Sequence, residues 1–320
     1  MRELPLIEAV REAYVEEMNT DDTVYMVGQD IRGGIYPHTK DLVDEFGEDR
    51  IVDTPISEVG MFGCAFGSAL VGYRPIVDFM FGGFAYVAGS EVLVTLGQQY
   101  FLHGSQTPVP LVLTAGVGTG MRLANDHSLL PKADLIHHPG LKYVFPSTPH
   151  DAKGLMKSAI RDNNPVVFFW HFAQMMDRGP VPEEEYYIPI GEGEIKREGT
   201  DITVFANGLQ YKHALQVAEK LEGEISVEIY DPRSFEPFDL EKLLKSLEKT
   251  NHLVVVDEDY RRCGFAAEVI AQINEHGFDL LDAPVARVTL ENTPIPGGIL
   301  EPLVCPTPEK IEASIRQTLA

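Results

Sequence analysis

Two spacings of hydrophobic residues alternate along this chain. Apolar residues at helical intervals predict helices over residues 6–18, 40–46, 59–71, 85–101, 152–161, 211–221, 240–249, 266–276 and from 308 onward. Short apolar runs between them predict strands over residues 23–27, 51–52, 75–80, 109–114, 141–145, 166–170, 202–206, 226–230, 253–257 and 286–289. Such alternation of strand and helix is typical of the α/β class, with parallel sheets flanked by helices.

One interruption of this alternation divides the chain into two parts. Residues 178–200 contain Pro180, Pro182, three consecutive glutamates and several glycines, and we interpret them as a linker or crossover. Because a chain of 320 residues suits two domains, we predict one α/β domain over residues 1–190 and a second over residues 191–320.

Composition narrows the function classes. The chain has 26 basic and 49 acidic residues, a formal charge of -23, which repels phosphate backbones and argues against nucleic-acid binding. No apolar run approaches a membrane span and no signal-peptide core is present, so we expect a cytoplasmic enzyme or enzyme subunit. Cys64, Cys263 and Cys305 lack paired spacing, and we expect them to be buried rather than bonded to each other or to zinc.

A single acid, Glu58, stands among small and apolar residues in the stretch 51–84. A carboxylate in apolar surroundings is costly to ionise, so its proton affinity should rise toward the range useful for acid–base chemistry. The alternative is an ordinary helix start, because Thr54, Pro55 and Ser57 precede this acid. The residues alone leave both interpretations open.

A glycine-rich run, residues 115–120, follows a predicted strand and leads to His127. Neither a helical pattern nor a suitably placed ribose-binding acid follows it, so we reject a dinucleotide-binding fingerprint; the glycines more simply let the backbone approach a ligand. His127, flanked by polar residues, is a candidate proton carrier or an ordinary surface histidine. The histidines lack the spacings typical of metal ligands, so we expect no metal site built by this chain's side chains alone.

Longer motifs indicate a family. They are FGEDRIVDTPISEVG (46–60), GYRPIVDFM (72–80), DHS (126–128), PGLKYVFPSTPHDAKGLMKSAIRDNNPVV (139–167), LVVVDE (253–258), CGFAAEVIAQI (263–273) and LDAPVARVT (281–289). With them the chain resembles, almost end to end, the beta subunit of thiamine diphosphate-dependent 2-oxoacid dehydrogenases of the pyruvate, branched-chain and acetoin types. The resemblance implies a pyrimidine-binding domain followed by a transketolase C-terminal-type domain.

The same resemblance implies that this chain carries half of a cofactor site. In the family an alpha subunit, joined in an alpha2beta2 heterotetramer, supplies the ligands of Mg2+ and of the diphosphate. Glu58 would hydrogen-bond N1′ of the aminopyrimidine, which promotes removal of the C2 proton of the thiazolium. Met80 and Phe84 match positions that pack on the pyrimidine, although ordinary core packing is the alternative for both. Gln29 stands where a cofactor-contacting acid is usual.

Further roles follow from position within the family motifs. His127 matches a histidine that acts on the substrate or on the lipoyl group. Four residues match a loop that holds a structural K+ mainly through carbonyl oxygens: Leu111, Ala159, Asp162 and Asn164. For Asp162 a plain acid at a helix end is the alternative.

We therefore expect the decarboxylating component of a 2-oxoacid dehydrogenase, which passes an acyl group to lipoamide on an acyltransferase partner. The alternative is a carboligase on the same alpha–beta scaffold, with an aldehyde or ketone as acceptor and an atypical substrate. A third hypothesis, an assembly scaffold, is disfavoured by the joint presence of Glu58, Phe84 and His127. The chain departs from the usual family pattern at residues 81–83, 114–115 and 126, which shape the site.

Overall fold

A computed structural model describes residues 1–320 as two larger sheets flanked by helices, together with a two-stranded sheet of the first and eighth strands. The strands of the first half are β1 (Arg2–Pro5), β2 (Val24–Gly28), β3 (Ile51–Asp53), β4 (Arg74–Phe81), β5 (Val112–Val117), β6 (Lys142–Val144), β7 (Val166–His171) and β8 (Arg178–Val181). Its α-helices are α1 (Leu6–Thr20), α2 (Leu42–Phe46), α3 (Glu58–Leu70), α4 (Gly97–Leu102), α5 (Asn125–Ser128), α6 (Lys132–Ile136) and α7 (Pro149–Arg161).

The second half repeats the alternation. Its strands are β9 (Glu194–Arg197), β10 (Ile202–Phe205), β11 (Val227–Asp231), β12 (Ser234–Glu236), β13 (Leu253–Tyr260) and β14 (Ala286–Leu290). Its α-helices are α8 (Leu209–Lys220), α9 (Leu240–Thr250), α10 (Phe265–His276), α11 (Glu301–Val304) and α12 (Pro308–Thr318). No helix is both long enough and apolar enough to cross a membrane.

Strand order explains how the two halves join. The first sheet has seven strands in the order β12-β6-β7-β5-β4-β2-β3, and all its pairs are parallel except the antiparallel edge strand β12. That edge strand comes from the second half of the chain, so the two halves share a sheet. The second sheet has the order β14-β13-β10-β11-β9, again parallel apart from β9. The predicted α/β class with parallel sheets is confirmed.

The parallel strands are apolar because helices cover both faces of the sheet. The strands β5 and β7 are buried at every position. Helices α1 and α7 pack together on one face, with Leu6, Tyr14 and Met156 among the fully buried residues. Helix α3 lies with the core cluster of the other face, to which it contributes Met61, Phe62, Ala65 and Ala69. This two-sided burial fixes the sheet whose edge carries the candidate site.

Three expectations about elements were wrong. The single helix expected over residues 85–101 is instead a 3-10 helix (Gly82–Tyr86), a π-helix (Ser90–Leu96) and α4. A close approach accompanies this change of pitch, since a Cβ on Gly140 would lie 1.8 Å from the carbonyl oxygen of Gly97. The segment interpreted as a linker, residues 178–200, contains β8 and β9, and the N-terminal strand β1, which pairs with β8, was not foreseen.

The expectation of three buried cysteines was also wrong. Only Cys305 is buried, whereas Cys64 and Cys263 are exposed. Cys64 lies on a face of α3 where Gly63 and Gly67 have no neighbour within 4 Å of an added Cβ. Cys263 adopts a positive φ of 57° in the loop after β13, where its side chain is outside the core.

A cluster of buried charged residues connects the first and second halves of the chain. Asp151 at the start of α7 is fully buried and pairs with Lys196 of β9 at 2.7 Å and with Arg233 at 3.5 Å. Asp231 at the end of β11 is also fully buried. Burial and the nearby Asp151 carboxylate raise the pKa of Asp231 to about 7, although the Lys196 ammonium opposes this shift.

This raised pKa makes the stability of the chain depend on pH. Between the ordinary aspartate pKa of 3.8 and about 7, the folded state holds a proton on Asp231 that the unfolded state has lost. Stability therefore falls as pH rises through this window. We expect Asp231→Asn to remove this loss of stability. The free energy of unfolding should then fall less steeply with pH, by up to about 1.4 kcal/mol per pH unit.

Urea unfolding of the full chain at several pH values between 4 and 7 measures this slope. The matched control is Asp279→Asn, which changes an exposed aspartate of the same half and should leave the slope as in the unmodified chain. An unchanged slope in Asp231→Asn would show that this carboxyl is ionised throughout the window.

Candidate functional site

The carboxyl ends of four neighbouring parallel strands define one edge of the first sheet. Register places Asp53, Gly28, Asp78 and Thr114 in one row across β3, β2, β4 and β5. The segments that follow this row leave the sheet at the same edge, which is where open α/β sheets bind ligands. Four of the segments carry predicted site residues: Gln29 after β2, Glu58 after β3, Met80 to Phe84 at the end of β4, and His127 after β5.

Glu58 is the first residue of α3 and is only 7% exposed. Within the chain its side chain makes no hydrogen bond and no ion pair, and the preceding Ser57 makes no side-chain cap either. This position agrees with the interpretation of Glu58 as an ordinary acid at a helix start, where the helix dipole favours a carboxylate. A buried carboxylate without a partner is costly, however, so the fold leaves this acid available to a group from outside the chain.

His127 lies against two aromatic rings. Its imidazole is half-buried in the four-residue helix α5. The ring of Phe81 is 4.4 Å away between centroids and nearly perpendicular at 86°, and the ring of Phe84 is 5.7 Å away. Edge-to-face contacts of this kind fix the orientation of a ring. The structure thus brings Phe84 and His127 together, and it adds Phe81 between them and the core.

Two glycines allow this contact. A Cβ on Gly82 would lie 2.3 Å from Cγ1 of Val117, and one on Gly83 would lie 2.8 Å from the carbonyl oxygen of Asp126. Any side chain at these positions would therefore push the segment that carries His127 away from β4. The departure of residues 81–83 from the family pattern has a physical consequence, because it lets that segment approach closely.

The glycine-rich loop before His127 is held by carboxylates of the second half. Glu258 at the end of β13 accepts a hydrogen bond from the backbone N–H of Thr119. Glu301 at the start of α11 accepts one from the N–H of Gly120 at 2.7 Å. Asn125, the first residue of α5, accepts a hydrogen bond from the Tyr260 hydroxyl at 3.0 Å. The position of His127 therefore depends on residues far along the chain.

Glu258 is kept ionised by its partners. Its second oxygen accepts hydrogen bonds from Nε2 of His171 at 3.0 Å and from Gln210 at 3.1 Å. Burial alone would raise the pKa of Glu258, but His171 and the N–H of Thr119 outweigh burial and lower it to about 2. Gly118 is required beside this pair, because its φ is +94° and a Cβ would lie 2.2 Å from Nε2 of His171.

Gln29 and Met80 lie at the same edge of the first sheet. Gln29 is buried between Gly28 and Asp30, and Asp30 has a positive φ of 55°. Met80 is half-buried, and its φ of 64° interrupts the strand β4 just before Phe81. No hydrogen bond joins Glu58 to either residue. These residues share an edge of the sheet without forming one bonded network.

The positions proposed for K+ lie together at the end of α7. The N–H of Asp162 donates to the carbonyl of Ala159 at 3.3 Å, and the N–H of Asn164 donates to the Asp162 carboxylate at 2.8 Å. Helix ends present free carbonyls that favour cations. Here Arg74 already donates to two of these carbonyls, those of Ile160 at 3.1 Å and Asp162 at 3.0 Å. Lys142 pairs with the Asp162 carboxylate.

Sequence reasoning missed the residues that hold the site. Phe81 was noted only as a departure from the family pattern, and Glu258 only as part of a matching motif. An acid at the end of a buried apolar strand is a signal that could have singled out Glu258. Glu301 gives no such signal, because nothing in its neighbourhood in sequence indicates a partner near residue 120.

Two known domain families match successive parts of the chain. Residues 2–175 match the pyrimidine binding domain of transketolase, and residues 191–311 match the transketolase C-terminal domain. A solved split gene transketolase, described as an inactive beta4 tetramer, superposes with a TM-score of 0.81 over 99% of this chain and 98% of that chain. Its sequence identity of 21% means that this likeness concerns the fold alone.

Three curated relatives from Bacillus subtilis (strain 168) are similar over nearly their whole length. The beta subunit of acetoin:2,6-dichlorophenolindophenol oxidoreductase is 40% identical over 97% of this chain and 95% of the relative. The beta subunit of the pyruvate dehydrogenase E1 component is 36% identical over 100% and 99%. The 2-oxoisovalerate dehydrogenase beta subunit is 38% identical over 99% of both. The resemblance inferred from the motifs is confirmed.

The carboxylate anchors of the glycine-rich loop give a testable expectation. Glu301→Ala removes the charged acceptor of the Gly120 N–H from a part-buried hydrogen bond, which we expect to cost about 1–3 kcal/mol. We expect hydrogen exchange at Gly120 to speed up about 5- to 150-fold, since about 1.4 kcal/mol corresponds to tenfold. Amide exchange followed by NMR or mass spectrometry measures this change.

The matched control is Glu301→Gln, which keeps an oxygen acceptor at the same place. Its exchange rate at Gly120 should stay close to that of the unmodified chain. Equal exchange rates in Glu301→Ala and the unmodified chain would refute the anchoring role.

Proposed function

The chain belongs to the family of 2-oxoacid dehydrogenase E1 beta subunits, and we propose that it acts as one with an alpha partner. In this proposal it decarboxylates a 2-oxoacid with thiamine diphosphate and passes the acyl group to lipoamide on an acyltransferase. One observation carries the proposal: Glu58 is a buried carboxylate with no partner in the chain, at the sheet edge that also carries Phe84 and His127.

The residues at this edge fit an aminopyrimidine. Such a ring offers an apolar face and a ring nitrogen that binds a proton, and the edge offers half-buried Met80 and Phe84 for the face. The Glu58 carboxylate would hold the proton at N1′, and Gln29 would line the same edge. Bound thiamine diphosphate supplies the thiazolium carbon that attacks the 2-oxo group. Glu58 is only 7% exposed, which limits the contact of its carboxylate with water.

The diphosphate and Mg2+ are assigned to the alpha subunit in this proposal. The glycine-rich loop of this chain is unsuited to phosphate, because the N–H groups of Thr119 and Gly120 already donate to Glu258 and Glu301. Two buried carboxylates beside the loop would also repel an anion. An alpha2beta2 assembly would complete the cofactor site, and these contacts and the family support the proposed split of the cofactor between two chains.

His127 is the group that we assign to the substrate side. Its imidazole lies against the rings of Phe81 and Phe84, which leaves part of the ring exposed at the sheet edge. From this position it would move a proton to or from the reacting oxygen, or orient the lipoyl thiol. The role rests on the proximity of His127 to Phe84, which is assigned to the cofactor.

A K+ ion at the end of α7 remains a proposal. The carbonyl oxygens of Leu111, Ala159, Asp162 and Asn164 would be its ligands. The carbonyls of Leu111 and Asp162 already accept hydrogen bonds, from Val166 and from Arg74 respectively. A carbonyl oxygen has two lone pairs, so a cation would share these oxygens with their present donors.

The carboligase remains the second candidate because of residues 81–83. Gly82 and Gly83 let the His127 segment approach β4 more closely than any side chain would permit. The space for the acceptor is set by this approach, so an aldehyde or ketone could replace lipoamide without any change at Glu58. Cofactor activation and acceptor choice thus depend on different parts of the edge.

The first expectation concerns cofactor activation. Glu58→Gln keeps the size of the side chain but cannot hold the N1′ proton in the same way, so we expect exchange of the cofactor C2 proton to become too slow to measure. Hydrogen–deuterium exchange in the assembled alpha–beta enzyme, followed by NMR, tests this. The matched control is Glu241→Gln, an exposed acid in the first turn of α9. Unchanged C2 exchange in Glu58→Gln would exclude the assignment.

The second expectation concerns the reaction. Copurified with its alpha partner, the chain should consume a 2-oxoacid from a panel of pyruvate and branched-chain acids and should acylate added lipoamide. The isolated chain serves as control and should bind thiamine diphosphate only weakly in calorimetry. Consumption of the 2-oxoacid with aldehyde acceptors but without acylation of lipoamide would favour the carboligase instead.

A further inference from the structure

A buried hydrogen bond between a histidine and an aspartate lies near the candidate site. His38, in the loop between β2 and α2, is completely buried, and Asp78 in β4 is only 4% exposed. The His38 Nε2 and Asp78 Oδ2 atoms are 2.8 Å apart. Since a carboxylate only accepts, Nε2 carries the hydrogen. Neither residue takes part in the chemistry proposed above, and neither is needed to fill space, because an apolar pair would do so at lower desolvation cost.

The second oxygen of Asp78 explains why a carboxylate is present. Asp78 Oδ1 accepts a hydrogen bond from the backbone N–H of Met80 at 2.7 Å. Met80 has a positive φ of 64°, a left-handed conformation that L-residues other than glycine disfavour. The pairing of β4 with β5 also shifts register between Asp78 and Phe81. The Asp78 side chain therefore caps a bulge, as aspartates do when they bond the backbone two residues on.

This bulge sets the direction of the aromatic residue that follows it. Phe81 comes directly after Met80 and lies 4.4 Å from the His127 ring. On its other side Tyr36 is 6.4 Å away and perpendicular, and Tyr36 is itself stacked on His38 at 6.0 Å. Hence both partners of this hydrogen bond reach the Phe81 ring. Asp78 acts on it through the backbone, and His38 acts on it through Tyr36.

We propose that Asp78, held by His38, is a positioning residue that fixes the Met80 bulge and thereby the packing of Phe81 against His127. The inference rests on the proposed function for its effect on turnover, but the placement of His127 can be tested independently of any activity. Asp78 is not one of the residues that we assign to the cofactor or to the substrate. Its role is to hold one backbone N–H in a strained turn.

The direct test follows the His127 ring in the full chain without cofactor or partner. Carbon–proton NMR of histidine Cε1 groups, with the His127 signal assigned by His127→Gln, reports the aromatic rings around this imidazole. We expect Asp78→Ala to move the His127 signal and to leave the signals of His137 and His138 in place. Should Asp78→Ala not fold, Asp78→Leu, which fills the space but offers no acceptor, replaces it.

Two further variants separate positioning from general stability. Asp78→Asn keeps an oxygen that can accept from the Met80 N–H, so its His127 signal should stay near that of the unmodified chain. Val167→Ala weakens the buried core at strand β7, which β5 separates from β4, and should not move the His127 signal. An unmoved signal in Asp78→Ala or Asp78→Leu, or an equal shift in Val167→Ala, would overturn the proposal.

Turnover gives the second readout. In the assembled enzyme we expect Asp78→Ala to lower kcat about tenfold or more, as misplacement of a reacting group does, with little change in the KM for the 2-oxoacid, and Asp78→Asn to restore most of kcat. An unmodified assembly without turnover would refute the proposed function alone, since the NMR comparison would still decide the positioning role. If Asp78→Ala changed only KM, or left kcat unchanged, the positioning role would be contradicted.

Discussion

The parallel register of β3, β2, β4 and β5 is the constraint on which the site depends. It places Asp53, Gly28, Asp78 and Thr114 in one row, so the segments that follow must leave the sheet at a common edge. Burial of both faces by helices holds that register, because a slip by one residue would reverse every side chain. Glu58 and His127 are far apart in sequence, and the sheet alone gives them a shared edge.

Sequence patterns predicted the parallel sheets because their signals are local: apolar runs for the strands and helical spacing for the helices. They failed over residues 85–101 because the pitch there follows the approach of Gly140 to Gly97, a contact between distant segments. They likewise placed Glu58 and His127 at the site, through motifs and composition. The loop partners of Glu258 and Glu301 could not be foreseen, since Thr119 and Gly120 lie more than a hundred residues earlier.

Part of the acidic excess of this chain is internal and structural. Glu258, Glu301, Asp151 and Asp78 are all nearly or fully buried, and each accepts a hydrogen bond or pairs with a cation. Three of the four hold a backbone N–H or a histidine near the candidate site. A carboxylate accepts stronger hydrogen bonds than a neutral oxygen, which suits loops that carry strained residues. The net charge therefore says less about partners than a count of acids suggests.

In the proposed function, cofactor activation and acceptor choice are separable. Activation would need one unpaired carboxylate and an apolar wall, and Glu58 at the start of α3 would meet the first need. Acceptor choice depends on how far the His127 segment lies from β4. Gly82 and Gly83 let the His127 segment lie close to β4. The hydrogen bond between Glu301 and the Gly120 N–H holds the preceding loop in place. Under the proposed function, Glu58 would keep its role in activation even if residues 81–83 changed the molecule that receives the product.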